Sequence, residues 1–69
     1  MARQVEGIED RVLAALKEKG ASGANAADIR KHLEAQGLRM YRASASMALY
    51  RLSLLNLVRR KGRIWFAVD

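Results

Sequence analysis

The chain has 69 residues with 13 Lys and Arg against seven Asp and Glu, a formal net charge of +6, which allows one small domain and favours a polyanionic partner. With no cysteine there is no disulfide and no thiolate metal site, and with His32 as the one histidine no metal or other cofactor is expected. No apolar run approaches the roughly 18 residues of a membrane span, and the opening MARQVEGIED is too polar and acidic for a signal or transit peptide, so a soluble cytoplasmic protein is expected.

In chain order, the first helix is predicted from about residue 5 to 19. Val5, Ile8, Val12, Leu13 and Leu16 recur at helical spacing, with Glu9, Asp10, Arg11, Lys17 and Glu18 on the other side. Acids in the first turns and lysines in the last suit the helix dipole, and Gly20 supplies the stop. Ala21 to Ala24 reads as a small-residue loop. Asn25 with Asp28 three positions on marks the start of a second helix, about 26 to 36, which buries Ile29 and Leu33 and ends at Gly37. Leu38 is expected to pack back after that turn.

The third helix is predicted over about 42 to 55. Ala45, Leu49, Leu52 and Leu55 form its inner stripe, and Arg42, Ser46, Tyr50 and Ser53 its outer face. Asn56 is expected to close it in the left-handed conformation, with Leu57 folding back as the apolar contact of that cap. Residues 57 to 68 then read as two strands joined at Lys61-Gly62. Val58, Ile64, Phe66 and Val68 are expected to pack on the helices, with Trp65 partly on the other face. The whole chain, 1 to 69, forms one domain.

Charge is distributed unevenly along these elements. From Met1 to Gln36 six bases balance six acids, whereas from Gly37 to Val68 there are seven bases (Arg39, Arg42, Arg51, Arg59, Arg60, Lys61, Arg63) and no acid. Solvated surfaces ordinarily intersperse the two signs, so a one-signed half points to a polyanion.

Three stretches, ADIRKHLEAQGL, ALYRLSLLNLV and RRKGRIWFAV, together resemble the winged helix-turn-helix DNA-binding domain of bacterial transcription regulators. In many of these the third helix ends Leu, three variable residues, Gly, Leu, Val; here Leu52, Asn56, Leu57 and Val58 stand at the fixed places, with Asn for Gly. The resemblance implies an α+β, mainly α fold, three helices followed by a two-stranded β-wing. A narrower likeness is to Z-form nucleic-acid binding domains, which carry a base, an Asn and a Tyr at i, i+4 and i+8 of the third helix and a Trp in the wing. Arg42, Ser46, Tyr50 and Trp65 stand there, with Ser in place of Asn and a wing lacking the prolines of that family.

On this reading the chain is a sequence-specific or semi-specific double-stranded DNA-binding protein, a small nucleoid-associated transcriptional regulator acting as a homodimer. Helix 3 would enter the major groove, where Arg42 suits guanine, Ser44 and Ser46 bases or phosphates, and Met47 a thymine methyl. Tyr50, Arg51 and Arg39 would touch backbone, and the wing bases Arg59, Arg60, Lys61 and Arg63 phosphates or the minor groove. Trp65 is expected in the core or a dimer contact rather than as a stacking platform. The competing reading is a protein-docking winged helix, which would show an apolar rather than a basic, hydroxylated outer face on helix 3. Enzymatic activity is not expected, because Ser44 and Ser46 have no base and the basic half has no carboxylate pair.

Overall fold

A computed structural model describes residues 7–68. Its architecture is α+β, mainly α, in a winged-helix layout: α1 (Ile8–Lys19), α2 (Ala26–Ala35), α3 (Arg42–Leu54), then an antiparallel hairpin of β1 (Val58–Lys61) and β2 (Ile64–Ala67). Val5 and Glu6, expected in the first helix, lie outside the described residues. Among those residues no helix is long and apolar enough to cross a membrane.

The helix ends follow local chemistry. Glu9 and Asp10 sit in the first turn of α1, and Lys17 and Lys19 in the last. The Asn25 side chain accepts from the Asp28 N–H at 2.7 Å, capping α2. At the other end of α2, Gly37 (φ 92°) lets the Leu38 N–H return 2.9 Å to the Leu33 carbonyl. Leu38 packs against the core as expected. Helix α3 closes the same way, with Asn56 at φ 62° and the Leu57 N–H 3.0 Å from the Leu52 carbonyl.

Val12 and Leu16 from α1, Ile29 and Leu33 from α2 and Leu49 from α3 are the large side chains fully shut from solvent. Ala45, Ala48 and Leu52 complete the inner face of α3. Leu55, expected on that stripe, is instead 66% exposed, because the helix ends at Leu54 and the chain turns away before Leu55 can point inward. Leu57 supplies the backbone contact of the cap but remains 41% exposed, so its side chain does not complete the expected apolar one.

The hairpin corrects the sequence reading most. Its loop is Gly62-Arg63, so Val58 faces Ala67 and Arg60 faces Trp65. Gly62 has φ 65° and Arg63 no positive φ, the pattern of a type II′ turn. Cross-strand partners share a face, so a two-residue loop puts Val58 with odd-numbered residues of β2. Val58 and Trp65 are therefore buried, not Val58 with Ile64, Phe66 and Val68. Ile64 and Phe66 lie half-buried on the other face and Val68 is exposed.

Those two side chains cover a segment expected to be only a loop. Ala24 exchanges two backbone hydrogen bonds with Trp65, N–H to carbonyl at 3.0 and 2.8 Å, adding a one-residue third rung to the sheet. Gly23 makes this approach possible. A Cβ there would stand 2.6 Å from Ile64 Cγ2 and from the Trp65 carbonyl oxygen, and its φ of 66° with ψ of −170° is backbone that essentially glycine alone adopts. Gly62 shares the positive φ but has open space around it. Gly23→Ala is therefore expected to destabilise the fold by about 2 kcal/mol or more, from overpacking added to backbone strain, and Gly62→Ala by about 1 kcal/mol from strain alone. Chemical denaturation of the two variants checks the order; equal losses would show that the Gly23 contact carries no weight.

Candidate nucleic-acid interface

Every acid among the described residues belongs to α1 or α2, and the ion pairs use them locally. Arg30 pairs with Glu34 within α2 at 3.6 Å, and His32 Nε2 of α2 lies 3.2 Å from Glu18 Oε1 of α1. The third pair reaches α3, where Arg51 donates to Glu9 Oε2 at 3.0 Å. Among the described residues, Arg39, Arg42, Arg59, Arg60, Lys61 and Arg63 pair with no carboxylate, and all six are exposed. Like charges with no acid among them repel one another, and a bound anion relieves that repulsion.

Helix α3 presents three faces besides its buried one. Burial of Ala45, Ala48, Leu49 and Leu52 leaves Ala43, Met47, Tyr50 and Leu54 directly opposite, as the crest of the helix. Met47, Tyr50 and Leu54 are 54, 59 and 64% exposed. The expectation of a basic, hydroxylated outer face is thus corrected: the crest is apolar apart from the Tyr50 phenol. The predicted stripe of Ala45, Leu49, Leu52 and Leu55 and the buried set face almost the same direction, and helical spacing puts Arg42, Ser46 and Ser53 on a flank of it rather than opposite, where Met47 and Leu54 lie. Arg42, Ser46 and Ser53 fall on the flank toward the hairpin, and Ser44 and Arg51 on the flank toward α1. Ser53 donates its hydroxyl to the Tyr50 carbonyl at 2.7 Å.

Two of the recesses that adjoin this helix are lined in part by bases with no carboxylate partner among the described residues. A cleft of about 460 Å³ between α3 and the hairpin is lined by Ser46, Tyr50, Ser53, Arg60 and Trp65. In it the Arg60 guanidinium carbon lies 5.2 Å from the centroid of the Trp65 ring, which is within cation–π range. This gathers Ser46, Tyr50 and Trp65 of the four positions noted for the Z-form likeness. The second recess surrounds the start of α3, where Arg30, Arg39 and Arg42 converge with Glu34, Met40 and the exposed Tyr41.

The predicted site residues therefore divide. Arg42, Ser46, Tyr50 and Arg60 share one side of the molecule, and Met47 lies on the crest beside them. Arg59 and Lys61 point to the opposite face of the hairpin, with Arg63 at its tip. Arg51 is committed to α1. Arg30 and Trp65 were not predicted as site residues, because each reaches its recess only through packing between elements, and no local spacing marks that.

No family model, characterised protein or solved structure matches this chain. Its function has to be read from its own residues.

The hydrogen bond from Arg51, its largest cause, holds the Glu9 carboxyl below its ordinary pKa of 4.5, with a backbone hydrogen bond adding to it and partial burial opposing. A depressed folded-state pKa contributes stability above the unfolded value, and that contribution is lost as pH falls through the folded one. With Glu9 34% and Arg51 62% exposed, solvent screening limits the pair to no more than about 1 kcal/mol. Glu9→Gln is expected to melt slightly below the parent at neutral pH, with the gap closing as pH drops below about 4. Parallel melting curves across pH check this, and a constant gap would show that the charge is not the source.

Proposed function

We propose that this chain binds double-stranded DNA, with α3 in the major groove and the hairpin on the backbone or minor groove, as a small transcriptional regulator. The observation that carries the reading is the run from Gly37 to Val68, which contains no acid and in which six exposed cations, Arg39, Arg42, Arg59, Arg60, Lys61 and Arg63, have no carboxylate partner among the described residues. The phosphates of a duplex would supply anions to several of these bases at once. Arg42, at the exposed first position of α3, would take a guanine edge, and Met47, five residues on, a thymine methyl. Arg59, Arg60, Lys61 and Arg63 hold the register through phosphates. A second copy on an adjacent half-site would supply the specificity that one domain of this size lacks.

Five phosphate contacts give a slope of log K against log salt of about −4 to −5. Titration of a mixed-sequence duplex at several salt concentrations measures it. Absence of binding at low salt would remove the proposal. Arg42→Ala should relax preference at one base position, whereas Lys61→Ala should weaken all sequences alike and flatten the slope by about 1. An alternating dC-dG duplex held left-handed tests the Z-form alternative in the same assay.

The apolar crest favours a second reading, docking on another protein through Met47, Tyr50 and Leu54, which Leu55 and Leu57 extend at the end of the helix. Leu54→Lys separates the two. It should leave DNA affinity unchanged or raised if DNA is the partner, and abolish association if the crest is a protein-docking surface.

A further inference from the structure

Alternation along β1 turns Arg59 and Lys61 to one face of the hairpin and Val58 and Arg60 to the other. Arg63 sits in the loop, so Arg60 is the strand base that faces α3. The face it shares runs from the buried Val58 and half-buried Ala67 outward to Trp65 and Arg60, where the core gives way to solvent. Trp65, 9% exposed, is fixed by the core beneath it and by the two backbone bonds to Ala24. Its ring is therefore a rigid platform, and the Arg60 guanidinium lies over it.

The opposite wall of the cleft is polar and holds no acid. Ser46 and Tyr50 stand one turn apart on α3, both exposed, with hydroxyl protons that no acceptor among the described residues takes up. Ser53 is different, because its proton is already given to the Tyr50 carbonyl. In this cation–π contact the Arg60 guanidinium donates to no carboxylate among the described residues, so its N–H groups are free for the two oxygens of a phosphate. Donors on both walls, a guanidinium held in orientation and no carboxylate define a site for a tetrahedral anion that is approached from solvent.

We propose that the cleft between α3 and the hairpin is a phosphodiester site, in which Arg60, held by the Trp65 ring, takes one backbone phosphate that Ser46 and Tyr50 also contact from α3. Arg60 and the two hydroxyls are the binding groups, and Trp65 is a positioning residue. The assignment rests on the nucleic-acid reading above and adds to it a specific phosphate at the junction of helix and hairpin. One phosphate bridging both elements fixes the angle at which α3 lies in the groove, which scattered contacts at the hairpin tip do not do.

Trp65 is the one tryptophan of the chain, so its emission reports on this cleft. The test follows Trp65 emission and fluorescence anisotropy together while a labelled mixed-sequence duplex of about two helical turns is added. The expected result is an emission change that saturates with the anisotropy. Arg60→Lys keeps the charge but loses the planar fork, so affinity should fall about fivefold with the salt slope unchanged. Ser46→Ala and Tyr50→Phe, which leave the charge and the fold alone, should each weaken binding about two- to threefold. Binding by anisotropy with Trp65 emission unmoved and Arg60→Lys equal to the parent would overturn the phosphate site while leaving the DNA reading in place. No binding of any duplex would overturn both. An identical, saturating emission change with inorganic phosphate alone would assign the cleft to free anions and overturn its role as a backbone site.

Discussion

The two backbone hydrogen bonds between Ala24 and Trp65 hold this fold in its working shape. A two-stranded hairpin is marginal in water and needs packing behind it. Here the segment between α1 and α2 grips β2 from its free edge, and Gly23 lets Ile64 and Phe66 close over the same segment. Trp65 is thus fixed on one side by backbone and on another by the core of Val12, Leu16, Ile29, Leu33 and Leu49. The position of the hairpin against α3, and so the cleft between them, follows from that attachment.

Signals that act over a few residues were legible in the sequence. The Asn25 cap, the left-handed Gly37 and Asn56, the charge gradient of α1 and the helical spacing of Val12, Leu16, Ile29 and Leu33 each depend on near neighbours, and each appears in the structure. What depends on pairing between distant segments was not legible. The inward face of β2 is set by whether the loop has two residues, and a strand in which Ile64, Trp65, Phe66, Ala67 and Val68 are all apolar carries no alternation to reveal it. The Ala24 rung has no side-chain signature, since it is made by backbone alone. On α3 the inward direction follows from the spacing of Ala45, Leu49 and Leu52, and the same spacing puts Met47 and Leu54 opposite and Arg42, Ser46 and Ser53 on a flank; what depends on the helix end is Leu55, which is exposed while Ala48 takes the remaining buried place.

Segregating charge has a cost that the fold bears in one place. Among the described residues Glu34 pairs within α2, Glu18 of α1 meets His32 of α2, and only Glu9 reaches across to the basic half, where it meets Arg51. That pair joins the first and third helices on the flank of α3 away from the hairpin. The remaining bases are left to repel one another across the start of α3 and the hairpin, a surface on which added salt or a polyanion lowers the same repulsive energy.

An apolar crest flanked by bases is the combination that decides how α3 can be used. In a major groove, base edges present methyl groups and flat, weakly polar surfaces between two rows of phosphates, so a helix with Met47 and Tyr50 outward and Arg42, Ser46 and the hairpin bases beside them meets complementary chemistry at both its centre and its rim. A protein surface that docked on the same crest would have to offer an apolar stripe bordered by acids. An uncharged apolar partner would leave the flanking arginines beside the interface without counter-charge, which is the physical argument for the DNA proposal over docking on such a partner. Arg60 sits at the point where the two demands meet: its guanidinium face is satisfied by the aromatic ring of Trp65 and its edge is free for an anion. That division of one side chain between an apolar platform and an open charged edge is what connects the buried core of this domain to the chemistry of its surface.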